Sequence, residues 1–192
     1  MASKHGKVII ISGPSGAGKS TLVRRLLKNC PLPLQLSISA TTRSPRADEQ
    51  NGVSYHFLSP EEFTSKRDAG EFLECKEVFG QGHWYGTLEK NITHGLESGK
   101  WVILEIDVAG AMSVIDRIPD AITIFIHPGS MEELERRLRN RKTDSEDAIL
   151  RRLNVATEEM SKRHRYAHQV VNNDVAVATD EVSQILQSLE NE

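Results

Sequence analysis

Eight residues near the start of the chain, Gly13-Pro14-Ser15-Gly16-Ala17-Gly18-Lys19-Ser20, follow the apolar run Val8 to Ile11 and lead into the amphipathic series Leu22, Val23, Leu26 and Leu27. This is the pattern G-x-x-x-x-G-K-[ST] in the context that gives it meaning, with a strand before it and a helix after it. It constrains the chain more than any other stretch, because it fixes the opening of an α/β unit and the chemistry at its tip. Glycines at 13, 16 and 18 let the backbone take conformations closed to other residues, so successive N–H groups turn inward around phosphate oxygens. The helix predicted over residues 19–28 points its partial positive N-terminus at the same oxygens, and Lys19 adds a full charge. Ser20 is placed to ligate Mg²⁺. Nucleoside triphosphate binding by residues Gly13 to Thr21 follows.

The chain beyond this loop alternates strand and helix signals. Leu34 to Ser39 alternates apolar and polar residues and reads as one strand, leading into Ala40-Thr41-Thr42-Arg43-Ser44-Pro45-Arg46. Arg43 and Arg46 lie where a neighbouring strand opens toward the nucleotide, and the planar guanidinium fork suits a second phosphate-bearing ligand. Asn51-Gly52 is a tight-turn signal, and Val53 to Leu58 after it reads as a returning strand carrying Tyr55. Ser59-Pro60-Glu61-Glu62 opens a helix as N-cap, first-turn proline and first-turn acids. Glu71 to Val78 reads as a strand bearing Glu74, and residues 80–87 as an aromatic loop of the kind that closes over ligands, with Thr87 capping the next helix.

Trp101 to Ile106 is apolar enough to be buried on both faces. Asp107, at its end, stands where P-loop enzymes manage Mg²⁺ and its water shell. Ala121 to Ile126 is a further buried strand, so the order β-α-β-α-β calls for a parallel, doubly wound sheet in an α/β fold. Helices over about 131–141 and 144–165 carry Arg136, Arg137, Arg139, Arg141, Arg151 and Arg152, with a polar stretch from Asn140 to Ser145 between them. Most of these arginines read as solvated, and Arg136 is expected to pair with Glu132 one turn back. A strand over Gln169 to Asn172 and a helix over about 179–189 close the chain.

The net charge of -3, from 24 Lys plus Arg and 27 Asp plus Glu, gives no global basic field for nucleic acid. No apolar run approaches a membrane span and residues 1–7 lack a signal sequence, so a cytosolic protein without membrane partners is expected. Cys30 and Cys75 have no ligand or redox spacing and are expected to stay reduced.

Taken in order, the P-loop, Ser39 to Arg46, Tyr55, Glu74, Tyr85-Gly86-Thr87 and the arginine-rich helices resemble the guanylate kinase family over nearly the whole length. The resemblance implies transfer of a phosphoryl group from ATP to GMP with Mg²⁺. It implies a core over about 1–38, 88–130 and 160–192, a GMP-binding segment over about 39–87 and a lid over about 131–159, the segment being a small mixed α/β unit and the lid helical. Arg43, Arg46, Tyr55 and Tyr85 would hold the GMP phosphate, and Ser39, Glu74, Thr87 and Glu105 the guanine. Lys19 with the loop amides would hold the ATP phosphates, with Asn172 beside the adenine. Arg137, Arg141 and Arg152 would close on the transferring group and, with Lys19 and Arg43, make up the catalytic set. The chain departs from the family pattern at Glu105, Ala109 and Lys142, and in Gly-Gln-Gly-His-Trp-Tyr-Gly, which leaves His83 and Trp84 without an inherited role. Protein-interaction modules that share this architecture typically carry damaged P-loops, and this loop is intact.

Overall fold

In a computed structural model, residues 6–78, 82–140 and 145–191 are described. The chain runs β1 (Val8–Ser12), α1 (Lys19–Asn29), β2 (Leu34–Leu36), β3 (Ala40–Thr41), β4 (His56–Phe57), α2 (Pro60–Asp68), β5 (Phe72–Val78), β6 (His83–Leu88), α3 (Glu89–Glu97) and β7 (Trp101–Glu105). It continues through α4 (Val108–Arg117), β8 (Ile122–His127), α5 (Met131–Asn140), α6 (Glu146–Ser161), β9 (His168–Val171) and α7 (Val175–Ser188). Among the described residues no helix is long and apolar enough to cross a membrane.

Strand β1 has all five residues buried because it is the centre of a parallel sheet ordered β2-β7-β1-β8-β9. Its alternate residues serve two cores, as a strand covered on both faces must. Ile9 and Ile11 pack with Leu22 and Leu26 of α1 and Val182 and Leu186 of α7. Val8 and Ile10 pack on the other side with Val108, Ala111 and Val114 of α4. The expected doubly wound sheet is therefore present, and every phosphate-loop residue issues from the C-terminal end of its middle strand.

A second, mixed sheet ordered β4-β3-β6-β5 closes over its own small core of Ala40, Phe63, Phe72 and Leu88. Phe63 and Phe72 stack at 4.5 Å. Strand β5 serves two masters: Phe72 faces this core, while Leu73 is buried in the main core with α4. Helices α5 and α6 form a third body around Leu134, Leu138, Ile149 and Ala156.

Several local expectations change. The strand expected over Leu34 to Ser39 splits, because Ser37 makes the last amide bond to Ile103 of the first sheet and the chain then crosses to the second. The returning strand expected over Val53 to Leu58 shrinks to β4, its first half being consumed by a turn in which Gly52 takes a φ of 76°. Residues 83–87, expected as loop, form β6 together with Leu88, and the strand pairs antiparallel with both β3 and β5. Trp84 thereby acquires a packing role, 6.1 Å from Phe63 with Arg67 over its ring at 5.3 Å. Helix α3 starts from Leu88 without a side-chain cap, so Thr87 is free for other work. Arg136 pairs with Glu133 rather than Glu132, in two bonds of 2.7 and 2.8 Å. Glu132 stands at the helix start, where its own backbone N–H and Ser130 lower its pKa.

The second sheet's stability rests on few large side chains, and Phe63 is only 1% exposed. Phe63→Ala is expected to cost about 3 to 5 kcal/mol, measured by urea denaturation, the scale for emptying a buried aromatic site. A loss below about 1 kcal/mol would show that this small core is not what holds β3 to β6 together.

Candidate active site

The phosphate loop is built by close approach. A Cβ at Gly13, whose φ is 141°, would lie 1.9 Å from the Ile126 carbonyl oxygen of β8, and one at Gly18 would lie 2.5 Å from Nδ2 of Asn172. Only glycine fits either place. The Lys19 ammonium, half-buried, donates to the Gly13 and Pro14 carbonyls at 2.6 and 3.2 Å. Desolvation pulls its pKa below the ordinary lysine value, against the opposing influence of Glu105, Glu159 and Asp107. Ser15 and Thr21 are exposed, and the Ala17 amide closes the turn onto Pro14.

Ser20 donates to Oε1 of Glu105 at 2.5 Å, bringing together the expected magnesium ligand and a residue expected on guanine. The contact follows from register, since Glu105 of β7 lies beside Ile11 of β1. Asp107, next in line, uses both oxygens. Oδ1 accepts the Gly110 amide at 2.9 Å and caps α4, and Oδ2 meets the Lys76 ammonium at 2.6 Å.

On the second sheet, Arg43 is gathered into an aromatic corner. Its Nε donates to the Tyr85 hydroxyl at 3.1 Å, and its guanidinium lies 5.6 Å from the Tyr55 ring and 5.8 Å from that of Phe57. Tyr55 and Tyr85 meet edge to face at 5.8 Å. Glu49 completes the corner, accepting from Arg43 at 2.8 Å and from the Arg46 backbone at 2.8 Å. The bond to Arg43 holds the Glu49 carboxyl below its usual range. The Arg46 side chain is exposed.

Glu74 and Thr87 face each other across β5 and β6, and the Thr87 hydroxyl, fully buried, donates to Oε1 of Glu74 at 2.7 Å. Burial raises the Glu74 pKa, Thr87 opposes that, and Asp107 adds to it. The Ser39 carbonyl accepts the His56 amide at the turn between the sheets.

Asn172 directly follows β9 and lies against the loop. Its side-chain amide donates to the Ala17 carbonyl at 2.7 Å, and its own carbonyl accepts from Arg137 at 2.6 Å, with the residue only 4% exposed. Arg137 also donates to Glu133 at 2.7 Å. Helix α5 leans on the loop as well, since a Cβ at Gly16 would come within 3.0 and 3.1 Å of Leu134 and Leu138. Arg152 lies half-buried on α6, and Arg141 and Lys142 fall outside the described residues. Glu159 lies seven residues beyond Arg152 on the same helical face, and burial raises its pKa against the pull of Lys19.

Sequence reasoning missed Glu49, Lys76 and Glu159. For Lys76 and Glu159 a signal existed, spacing of two from Glu74 on a strand and of seven from Arg152 on a helix. For Glu49 there was none, because its pairing depends on the path of an irregular loop.

A nucleotide loop at the centre of a parallel sheet, an arginine-and-tyrosine corner on an adjoining sheet and a helical pair leaning on the loop define the class of P-loop kinases that phosphorylate small molecules. A shikimate kinase structure from Bacteroides thetaiotaomicron shares this fold at 15% identity and a TM-score of 0.50 over 97% of this chain and 99% of that one. The chain belongs to the guanylate kinase family, whose model matches residues 5–189. It is 57% identical over 183 residues to a guanylate kinase from Rhodopirellula baltica, covering 94% of this chain and 87% of that protein. A guanylate kinase crystal structure from Anaplasma phagocytophilum superposes with a TM-score of 0.79 at 33% identity, covering 98% of this chain and 88% of that one.

The tether from Asn172 to Ala17 is expected to hold the loop in shape. Asn172→Ala leaves a carbonyl unpaired, so it should cost about 1 to 3 kcal/mol of stability and weaken ATP binding together, measured by denaturation and titration calorimetry. Weaker ATP binding at unchanged stability would point to a contact with the base instead.

The Glu74 shift has a defined sign. A carboxyl whose pKa is raised on folding contributes stability that is present below its unfolded pKa and lost as pH rises through the folded one. The melting temperature of the wild type minus that of Glu74→Gln should therefore fall as pH rises above the ordinary glutamate pKa of about 4.3. A flat difference would mean that Glu74 is not desolvated.

Proposed function

We propose that the chain catalyses ATP + GMP to ADP + GDP, with the arrangement of Glu74 and Thr87 as the observation that carries the choice of acceptor. Guanine offers two adjacent donors, N1–H and the 2-amino group, and one carboxylate accepts both. The Thr87 hydroxyl fixes that carboxylate in orientation, while Ser39 lines the same end. Arg43, Arg46, Tyr55 and Tyr85 hold the acceptor phosphate, and the cation over aromatic faces supports a preorganised guanidinium. Glu105, bonded to Ser20, stands on the metal side of the boundary between the two nucleotides.

The reaction asks little covalent help of the protein. An oxygen of the GMP phosphate attacks the γ-phosphoryl group in line, and that phosphate is already ionised near neutral pH, so no general base is required. Catalysis is positioning and charge neutralisation. Lys19 and the loop amides grip the donor phosphates, with Arg137, Arg141 and Arg152 supplied by the lid. Its closure excludes water as a competing acceptor. The hydroxyl of Ser20 and the carboxylates of Glu105 and Asp107 are the hard oxygen donors that Mg²⁺ prefers, so the residues present fit that ion. Bound there, it would neutralise charge on the donor phosphates. Asn172 supports the loop from below the base. The protein works in the cytoplasm on free nucleotides, without nucleic acid or membrane.

A coupled assay of ADP release with GMP and AMP tests this reading. AMP would leave the Glu74 carboxylate unpaired and facing the adenine N1 acceptor, so GMP should be preferred by about 10⁴-fold in kcat/KM. Glu74→Gln should cut GMP turnover and narrow that ratio. An unchanged ratio removes Glu74 from the site, and wild-type preference for AMP overturns the reading.

A further inference from the structure

Lys76 stands on β5 two residues after Glu74, so the two side chains share a face of the strand. Opposite them on β6, and on that same face, are Tyr85 facing Lys76 and Thr87 facing Glu74. Lys76 is thus the cation in the row of side chains that the proposed function gives to the acceptor nucleotide. Its ammonium does not rest on the second sheet, however. It reaches across to the first, 2.6 Å from Oδ2 of Asp107 at the end of β7.

The surroundings of that ammonium locate it further. Glu159 of α6 interacts electrostatically with Lys76, Lys19 and Asp107, and Lys19 with both Glu159 and Asp107. Two lysines therefore lie within electrostatic reach of the same two acids, Lys19 belonging to the phosphate loop and Lys76 to β5. The pair with Asp107 is about one-third exposed on each side, 32% and 34%, so an incoming anion has access to it. Phosphoryl transfer passes through a loose transition state whose charge is spread over equatorial oxygens, and fixed cations around that group lower the barrier.

We propose that Lys76 is a further catalytic residue of the phosphoryl transfer, which exchanges Asp107 for the oxygens between donor and acceptor and faces Lys19 across the transferring group. The inference rests on the proposed reaction. In the free protein Asp107 holds the ammonium at the seam between the sheets, so little side-chain freedom is left to lose when the phosphates arrive.

The test uses the full chain with Mg²⁺, comparing wild type with Lys76→Met, Lys76→Arg and Asp107→Asn. The measurements are kcat, both KM values, melting temperature and the Kd of a pentaphosphate joining adenosine to guanosine, which spans both nucleotide sites. A charge-assisted contact made to the transferring group predicts that Lys76→Met lowers kcat and weakens the pentaphosphate by about 10- to 100-fold each, with both KM values within about threefold. Lys76→Arg should recover most of both. The proposal is overturned if Lys76→Met keeps kcat and pentaphosphate affinity within about twofold of wild type. It is equally overturned if Lys76→Met and Asp107→Asn lose melting temperature alike and Lys76→Arg restores stability without restoring kcat, since that pattern belongs to a structural ion pair. Failure of the wild type to phosphorylate GMP would sink the proposed reaction itself, an outcome separate from either of these.

Discussion

At Gly13 the backbone comes so near the Ile126 carbonyl that no side chain fits between β1 and β8, and the rest of the site depends on that approach. It lets the loop turn back over the end of the sheet, placing Gly18 in a left-handed conformation at the mouth of α1 with the helix amides aimed at the loop's interior. The sheet around it is rigid because β1 is buried on both faces. The loop is then braced from two further directions, by Asn172 from the end of β9 and by Leu134 and Leu138 from α5. A phosphate cradle made of main-chain amides has no side chains to adjust, so its geometry must be imposed by what surrounds it.

Around this fixed point the charges alternate. Lys19 and Lys76 are interleaved with Glu105, Asp107 and Glu159, and Glu74 stands one step further out beside Asp107. Burying a carboxylate is unfavourable and a second acid nearby adds to it, and the pKa values of Glu74 and Glu159 are raised by burial first and by Asp107 after it. It is tolerated because the lysines offset it. Such arrangements trade stability for function, and here the trade is made where the two sheets and the helical pair meet.

On the side of the second sheet, that meeting is made through β5. Leu73 enters the main core, Arg117 of α4 donates to the Leu73 carbonyl, and Lys76 reaches Asp107, all from one strand. Strand β5 is therefore anchored to the core at Leu73 and Lys76, while β3 and β4 are short and pair within their own sheet.

The sequence by itself determined the phosphate loop, the parallel sheet and the start of α2. Each of these is carried by local spacing: glycines at fixed offsets, apolar runs, and a Ser-Pro-Glu-Glu helix start whose capping box formed as the residues dictate. Pairing was not legible, because partners distant in sequence are chosen by topology. Nothing near Glu105 says that register with β1 will bring it to Ser20, and nothing near Thr87 says that its hydroxyl will turn to Glu74 rather than cap α3. The aromatic stretch after Gly82 became a strand because two neighbouring edges needed its hydrogen bonds, an outcome that glycine and aromatic content alone do not encode. Only the tertiary structure decided that Asn172 would brace the loop and that Lys76 would bridge the sheets, since both depend on where chain segments far apart in sequence come to lie within a few ångströms of each other.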